Sequence, residues 1–326
     1  MTTTLDRASR VGAARVGTIM ALTSAATFGS SGAMGKALIE TGWTAGAAVL
    51  VRLGGAALVL GVAAAISLRG RLRLRAASLR TVLVYGVVAM AGAQLAFFNA
   101  VRTLDVGVAL LLEFLAPVLL LLWSSLRTRT LPAPATMAGA ALTLVGLALV
   151  LELTSATSVD LTGVAWGLAA AVCLGVFFVL SEREHDDLPP LVMAAGGTAV
   201  GALVIAAAGA IGIVPLAFAT LDTSLADATV SWLVPAAWLV LVSTVAAYLT
   251  GIGAVLRLRV RTASFVALTE VLFAVLFAWL LLAELPGPSQ LLGGICIVTG
   301  IVVVRRTESA RPSRPAATSL DTVPTA

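Results

Sequence analysis

Charge is scarce in this chain. Only 11% of its 326 residues are Asp, Glu, Lys or Arg, against about 25% in ordinary soluble domains. With 60% hydrophobic residues and a mean hydropathy of +1.05, it has too little polar surface to wrap a soluble core. A water-soluble globular protein is excluded, and an all-α, polytopic membrane protein is expected. Cysteine is nearly absent as well. Cys173 and Cys296 both fall inside apolar runs with no CxxC spacing, so they read as small buried hydrophobes rather than a disulfide or a thiolate site. The single histidine, His185 in SEREHDDLPP, has no second His or Cys to complete a site, and no metal is expected. There is no Walker motif, no GxSxG and no HExxH. ATP-driven transport would need a partner protein, no enzyme activity is expected, and no cofactor is implied. The amino terminus leads into a full-length apolar run without a small-residue cleavage site, so it does not read as a signal peptide.

What the chain has is long apolar runs. Ten are predicted to span a bilayer, at about 16–38, 45–68, 80–101, 105–126, 133–153, 162–181, 190–214, 231–256, 262–283 and 288–304. Short loops join them, leaving no separate soluble domain. Residues 1–15 and 305–326 are polar and are expected to be disordered cytoplasmic tails. The net charge of +5 does not point to nucleic acid, because the arginines flank apolar runs and act as topology signals. With both ends in the cytoplasm, 18 of the 21 Lys and Arg residues fall in cytoplasmic segments. The exceptions, Lys36, Arg52 and Arg102, lie in or near spans.

The chain also repeats itself. A step of 154 residues carries Ala100–Val150 onto Ala254–Val304 without a gap. Pro132 and Pro134 meet Pro286 and Pro288, and Gly139 and Gly146 meet Gly293 and Gly300. Leu and Ala matches cost little in so apolar a chain, but two prolines and two glycines in one register indicate a duplication. The domains are then a first five-helix repeat at 16–153 and a second at 162–304. Five spans is an odd number, so the second repeat enters the membrane the opposite way up. Two inverted five-helix repeats are a recurrent architecture of secondary transporters, with the substrate site near the midplane between them.

Polar residues inside the spans are the candidate machinery, since a charge at bilayer depth costs about 3 kcal/mol or more on insertion scales. Glu113 lies in VGVALLLEFLAPVLLLLW, one turn before Pro117, which frees the Glu113 carbonyl and is expected to bend the helix. Arg52 lies at a similar depth in the second span, so the two either lock their helices as an ion pair or share a substrate. Lys36 shares a helix face with Gly29 and Gly32. It either snorkels outward from a closely packed interface or meets a substrate carboxylate. Gln94, Asn99 and Tyr248 can bond a substrate or a neighbouring helix, as can Ser243 and Thr244. Glu270, three residues out of register with Glu113, is a candidate for proton coupling together with it.

The second half reads AVLRLRVRTASFVALTEVLFAVLFAWLLLAELPGPSQLLGGICIVTGIVVV. It resembles the EamA domain of the drug/metabolite transporter superfamily, which commonly has a mid-helix Glu-Pro, a terminal Gly-Glu and a Gly-rich last helix. Here Val271 follows Glu270, and Ala283 precedes Glu284 in place of glycine; the first repeat has Thr130 where Glu284 aligns. Lys36 after its small-residue run, GVALLLEFLAP at Gly107–Pro117 and VDLTG at Val159–Gly163 are similar to bacterial threonine/homoserine exporters. The resemblance implies an inner-membrane, ion-gradient-driven exporter of amino acids or related small metabolites. Its implied partners are a zwitterionic substrate, a proton or other coupling ion and the bilayer; a homodimer stays open. A drug or nucleotide-sugar carrier of the same fold is the alternative, with a membrane enzyme or scaffold as the competitor from another class. Basic-residue asymmetry gives the first test. A single cysteine at position 2 or 320 should stay unlabelled by an impermeant thiol reagent in intact cells; labelling at either would overturn this orientation.

Overall fold

The computed structural model describes residues 2–68, 76–129, 133–150, 160–181, 188–258, 266 and 269–309. His185, Arg69, Arg71, Arg73, Arg75, Arg259, Arg261 and the 310–326 tail lie outside them. Among the described residues the chain folds into ten helical rods and one short hairpin. They are α1 (Thr2–Glu40), α2 (Ala45–Leu68), α3 (Ala76–Val84, Tyr85–Gly92 and Ala93–Ala100), α4 (Val106–Glu113 and Ala116–Thr128) and α5 (Pro134–Val150). The second half repeats the series with α6 (Leu161–Ser181), α7 (Pro190–Ala210), α8 (Leu233–Val240, Leu241–Ala246 and Ala247–Arg257), α9 (Thr269–Leu282) and α10 (Pro288–Ser309). The hairpin pairs β1 (Thr223–Leu225) with β2 (Ala228–Val230) between α7 and α8. Residues 2–15, expected as a disordered tail, instead form the first turns of α1.

Among the described residues five helices are long and apolar enough to cross a bilayer, at Ala45–Leu68, Ser78–Ala100, Val106–Arg127, Pro190–Ala210 and Leu233–Arg257. Shorter apolar helices at Pro134–Leu149, Leu161–Phe177, Thr269–Leu282 and Pro288–Val303 complete the bundle with α1. Large side chains such as Leu58, Leu203 and Leu272 point outward, as lipid-facing residues do.

The packing follows the inverted repeat. α1 packs on α8 and α9, and α6 packs in return on α3 and α4. α2 meets α7, and α5 meets α10. At the α5–α10 crossing, a Cβ on Gly139 would lie 2.9 Å from the Gly300 carbonyl, and one on Gly146 would lie 2.6 Å from the Gly293 carbonyl. The repeat register maps Gly139 onto Gly293 and Gly146 onto Gly300. Each glycine therefore touches the other's mate, as a two-fold axis between antiparallel helices requires. Small residues let the two backbones touch, which is how helices associate where lipid offers no hydrophobic drive.

Among the described residues two segments are π-helical, Tyr85–Gly92 in α3 and Leu241–Ala246 in α8. The 154-residue step carries the first onto 239–246, so the irregularity is itself repeated. Wider π turns leave backbone carbonyls free and are frequent at functional sites.

The hairpin face of the bundle is tied shut. Thr223 Oγ1 donates to the Ala37 carbonyl, Ala226 N to the Leu281 carbonyl and Trp43 Nε1 to the Ala219 carbonyl. Thr44 Oγ1 donates to the Pro215 carbonyl and accepts from Ala217 N. Asp160 caps α6 by accepting from Thr162 N at 2.8 Å and Gly163 N at 3.1 Å. The Gly163 amide first, then Thr162 and the Thr103 hydroxyl, hold this carboxylate below the usual Asp range. Asp160 and Gly163 of the VDLTG stretch are thus a helix start docked on the α3–α4 turn.

The α5–α10 crossing gives a prediction. Gly146→Leu must push α10 away and should cost about 1–3 kcal/mol, read as a lower unfolding midpoint in detergent. Gly61→Leu, with nothing within 4 Å of its would-be Cβ, should leave the midpoint unchanged.

Candidate functional site

The guanidinium of Arg52 organises the centre of the bundle. It is 2% exposed, on α2, and three bonds hold it. Nε donates to Thr244 Oγ1 at 2.9 Å, Nη1 to Gln94 Oε1 at 2.6 Å and Nη2 to the Ser243 carbonyl at 3.2 Å. Two of these acceptors belong to the π segment of α8, and Gln94 sits just past the π segment of α3. Thr244 Oγ1 donates in turn to the Leu239 carbonyl, five residues back, across the widened turn. The Phe98 ring lies under the guanidinium, its centroid 5.7 Å from Cζ. Phe98 is itself seated against Gly35 of α1, where a Cβ would lie 2.8 Å from the ring.

A second chain of bonds leaves Ser243 toward α1. Ser243 Oγ and Ser30 Oγ share a 2.8 Å bond, Trp238 Nε1 donates to Ser30 Oγ at 2.9 Å, and Ser30 Oγ reaches the Thr27 carbonyl at 2.7 Å. Tyr248, two residues beyond the α8 π segment, donates from its hydroxyl to Met90 Sδ at 3.1 Å and packs edge-on with Phe28. The repeat register pairs Gln94 with Tyr248 and Met90 with Thr244. Tyr248 touches Met90 directly, whereas Gln94 reaches Thr244 through Arg52. One arginine, inserted on one side only, breaks the two-fold.

Glu113 ends the first piece of α4. The helix is interrupted at Phe114–Leu115, where Leu115 N turns back to the Leu112 carbonyl and Val118 N to the Leu115 carbonyl, and Pro117 lies in the first turn of the second piece. Proline suits that position because the first amides of a helix have no intrahelical partner. Glu270 lies in the first turn of α9. There α1 comes close, since a Cβ on Gly29 would lie 2.9 Å from the Glu270 carbonyl. Both carboxyl residues keep part of their surface open. Gly29 and Gly35 thus bring one helix, α1, against both the Glu270 backbone and the Phe98 ring beneath Arg52. Yet no ion pair joins Arg52 to Glu113 among the described residues. The pairing considered from sequence is corrected here: neutral oxygens on α3 and α8 occupy all three arginine nitrogens first.

Lys36 and Asn99 lie elsewhere. Lys36 forms an ion pair with Glu284, which follows α9, and donates to the Leu104 carbonyl at 3.2 Å. Glu284 Oε2 also accepts from Val106 N, the first amide of α4, at 3.0 Å, where a helix favours negative charge. One carboxylate thus ties together α1, the α3–α4 turn and the end of α9, on the hairpin face. Its aim depends on Ala283, whose φ of 57° is left-handed. Ala283 N donates to the Trp279 carbonyl and Glu284 N to the Ala278 carbonyl, a helix stop that favours glycine. Asn99 Nδ2 bonds the Leu95 carbonyl of its own helix at 2.8 Å and stands apart from the Arg52 cluster.

Sequence reasoning did not assign a site role to Glu284, Ser30, Trp238 or Met90. The first carried a signal, an acid directly after an apolar run. The register would have paired Met90 with Thr244. Ser30 and Trp238 carry none, because serine and tryptophan inside spans are ordinary.

Residues 15–152 and 161–306 each match the EamA-like transporter family. The threonine/homoserine exporter RhtA of Escherichia coli (strain K12) is 31% identical over 142 residues, 43% of this chain and 45% of that protein. The same exporter from Salmonella typhimurium (strain LT2) is 30% identical over an equal length. The chain therefore aligns with less than half the length of these relatives. A solved crystal structure covers 90% of this chain and 97% of its own, with a TM-score of 0.54 at 21% identity, and so shares the fold. Family matches in both halves, the inverted packing and a charged centre between the repeats converge: the chain belongs to the EamA-like transporter family and is a multi-pass membrane protein.

Proposed function

We propose that this transporter is a secondary exporter of amino acids or related small zwitterions, driven by a proton or other ion gradient across the cytoplasmic membrane. One observation carries the reading: a buried guanidinium, Arg52 of the first repeat, is held by Ser243 and Thr244 of the second, and an acid interrupts an apolar helix in each repeat, Glu113 at the break of α4 and Glu270 in the first turn of α9. Two acids against one cation leave one negative charge for a proton or a cationic group. The partial likeness to threonine/homoserine exporters supports the substrate class.

In this reading Arg52, held by Gln94, offers the substrate carboxylate its positive charge. Glu113 takes the amine, at a helix break whose free carbonyls add acceptors. Glu270 carries the coupling proton. Tyr248 lines the site, and Asn99 stands on the path toward the hairpin face. Lys36 is engaged with Glu284 and closes that face rather than binding substrate in this state. Opening it requires the Lys36–Glu284 pair to part. With both termini cytoplasmic, that face is the external one.

The test uses proteoliposomes and labelled threonine and homoserine. Glu113→Gln should lose both gradient-driven transport and counterflow, by about tenfold or more, because a hydrogen bond to a charged group contributes about 1.5–3 kcal/mol. Glu270→Gln should keep counterflow, which needs no net proton movement, while losing pH-driven accumulation. Wild-type rates in both folded variants would sink the mechanism. Resistance to bulky apolar cations without any amino-acid movement would favour drug efflux instead. The closed face has its own test. In a background with Cys173 and Cys296 replaced by Ala, a cysteine at position 99 should react several-fold faster with an impermeant reagent once Glu284→Gln removes the charge opposite Lys36. Unchanged reactivity would remove that pair from the gate.

A further inference from the structure

A cavity of about 390 Å³ lies between the start of α4, the length of α9 and α10. Its walls are apolar, formed by Val108, Leu111, Val275, Gly294 and Val298 among others. Its mouth on the hairpin side carries Asp105, Glu284 and Gln290. The cavity runs along α10 from Gln290 to Thr299, nine residues or about 14 Å at the helical rise. That is about half of a ~30 Å hydrocarbon core, the depth of one leaflet. Three of its lining residues, Leu272, Leu291 and Ile295, are 65%, 51% and 64% exposed, so the cavity borders the surface that faces lipid.

The mouth has a definite chemistry. Glu284 is engaged by Lys36 and Val106 N. Asp105 begins α4 but makes no capping bond with its exposed side chain, which leaves the carboxylate to a cation. Gln290 Oε1 accepts from Gly287 N at 3.0 Å, which leaves the amide NH2 of this cavity-lining residue as its donor. An amine opposite Asp105, a phosphate or ester oxygen on Gln290 and one acyl chain in an apolar slot one leaflet deep describe a single kind of molecule. We propose that this cavity binds a phospholipid with a primary-amine headgroup, a phosphatidylethanolamine, from the leaflet on the hairpin side. Its chain would lie between α4 of the first repeat and α9 and α10 of the second, filling the seam along which the repeats must shift.

Gly294 makes the proposal testable. A Cβ there meets only Leu111 Cδ1, at 3.6 Å, so a larger side chain can grow into the cavity without striking backbone. The full chain is purified from membranes containing both phosphatidylethanolamine and phosphatidylglycerol, and retained lipid is read by native mass spectrometry. Wild type should retain about one phosphatidylethanolamine per chain. Gly294→Leu should lose it at least fivefold, and Gly61→Leu, on α2, should keep it. Asp105→Asn should still retain a lipid but lose the preference for the amine headgroup. As a measurement independent of any variant, delipidated wild type titrated with phosphatidylethanolamine should gain thermal stability that saturates near one equivalent, and phosphatidylglycerol should do less. Lipid retention equal in wild type and folded Gly294→Leu would overturn the proposal. So would a titration without saturation, or a wild-type dimer that Gly294→Leu converts to lipid-free monomer, since the occupant would then be a second copy.

Discussion

Inside a bilayer no water is at hand to satisfy a polar group, so every donor and acceptor must find its partner in the protein. That constraint accounts for most of what is unusual in this bundle. Arg52 is fully buried and would be ruinous alone. It is held by oxygens from two other helices, one of them a backbone carbonyl. A regular α-helix has no carbonyl to spare in its middle. The carbonyl that Arg52 reaches, that of Ser243, lies within the π segment of α8, so the buried charge sits where the backbone is irregular. Among the described residues no buried side-chain nitrogen or oxygen is left without a partner.

The same constraint shapes how the two repeats join. Each repeat carries a π segment at the same register, and the residues around them meet across the pseudo-two-fold axis. Tyr248 on Met90 and Gln94 toward Thr244 are one contact seen from its two ends, and Arg52 enters only the second. A fully symmetric centre would offer a substrate identical faces. Duplication followed by one arginine and two out-of-step acids removes that symmetry.

Close approach is the other condition. Gly29, Gly35, Gly139 and Gly146 bring backbones or rings to distances that a side chain would block. Gly29 seats α1 on the backbone around Glu270, and Gly35 seats it on the ring beneath Arg52. The first helix is therefore in contact with both halves of the charged centre. At its far end it carries Lys36, which meets Glu284. A shift of α1 would be felt at the centre and at the hairpin face together.

Sequence alone determined the membrane class, the ten apolar runs, the duplication and, through an odd number of spans per repeat, its inversion. These follow from composition and periodicity, which are properties of the chain read in one dimension. Sequence also named Arg52, Glu113, Glu270 and Lys36, because charge at bilayer depth is costly wherever the helix points. Only the tertiary structure decided who meets whom. Arg52 found Thr244 and Gln94 rather than Glu113, Lys36 found Glu284, and residues 2–15 joined the first helix. Neither a small-residue run nor a hydropathy profile reveals how far each rod is turned about its axis. A rotation of one residue, about 100°, moves a side chain from one neighbour to another. That rotation is set by where glycines let backbones touch and where π turns shift the phase, and both act only once the helices are packed.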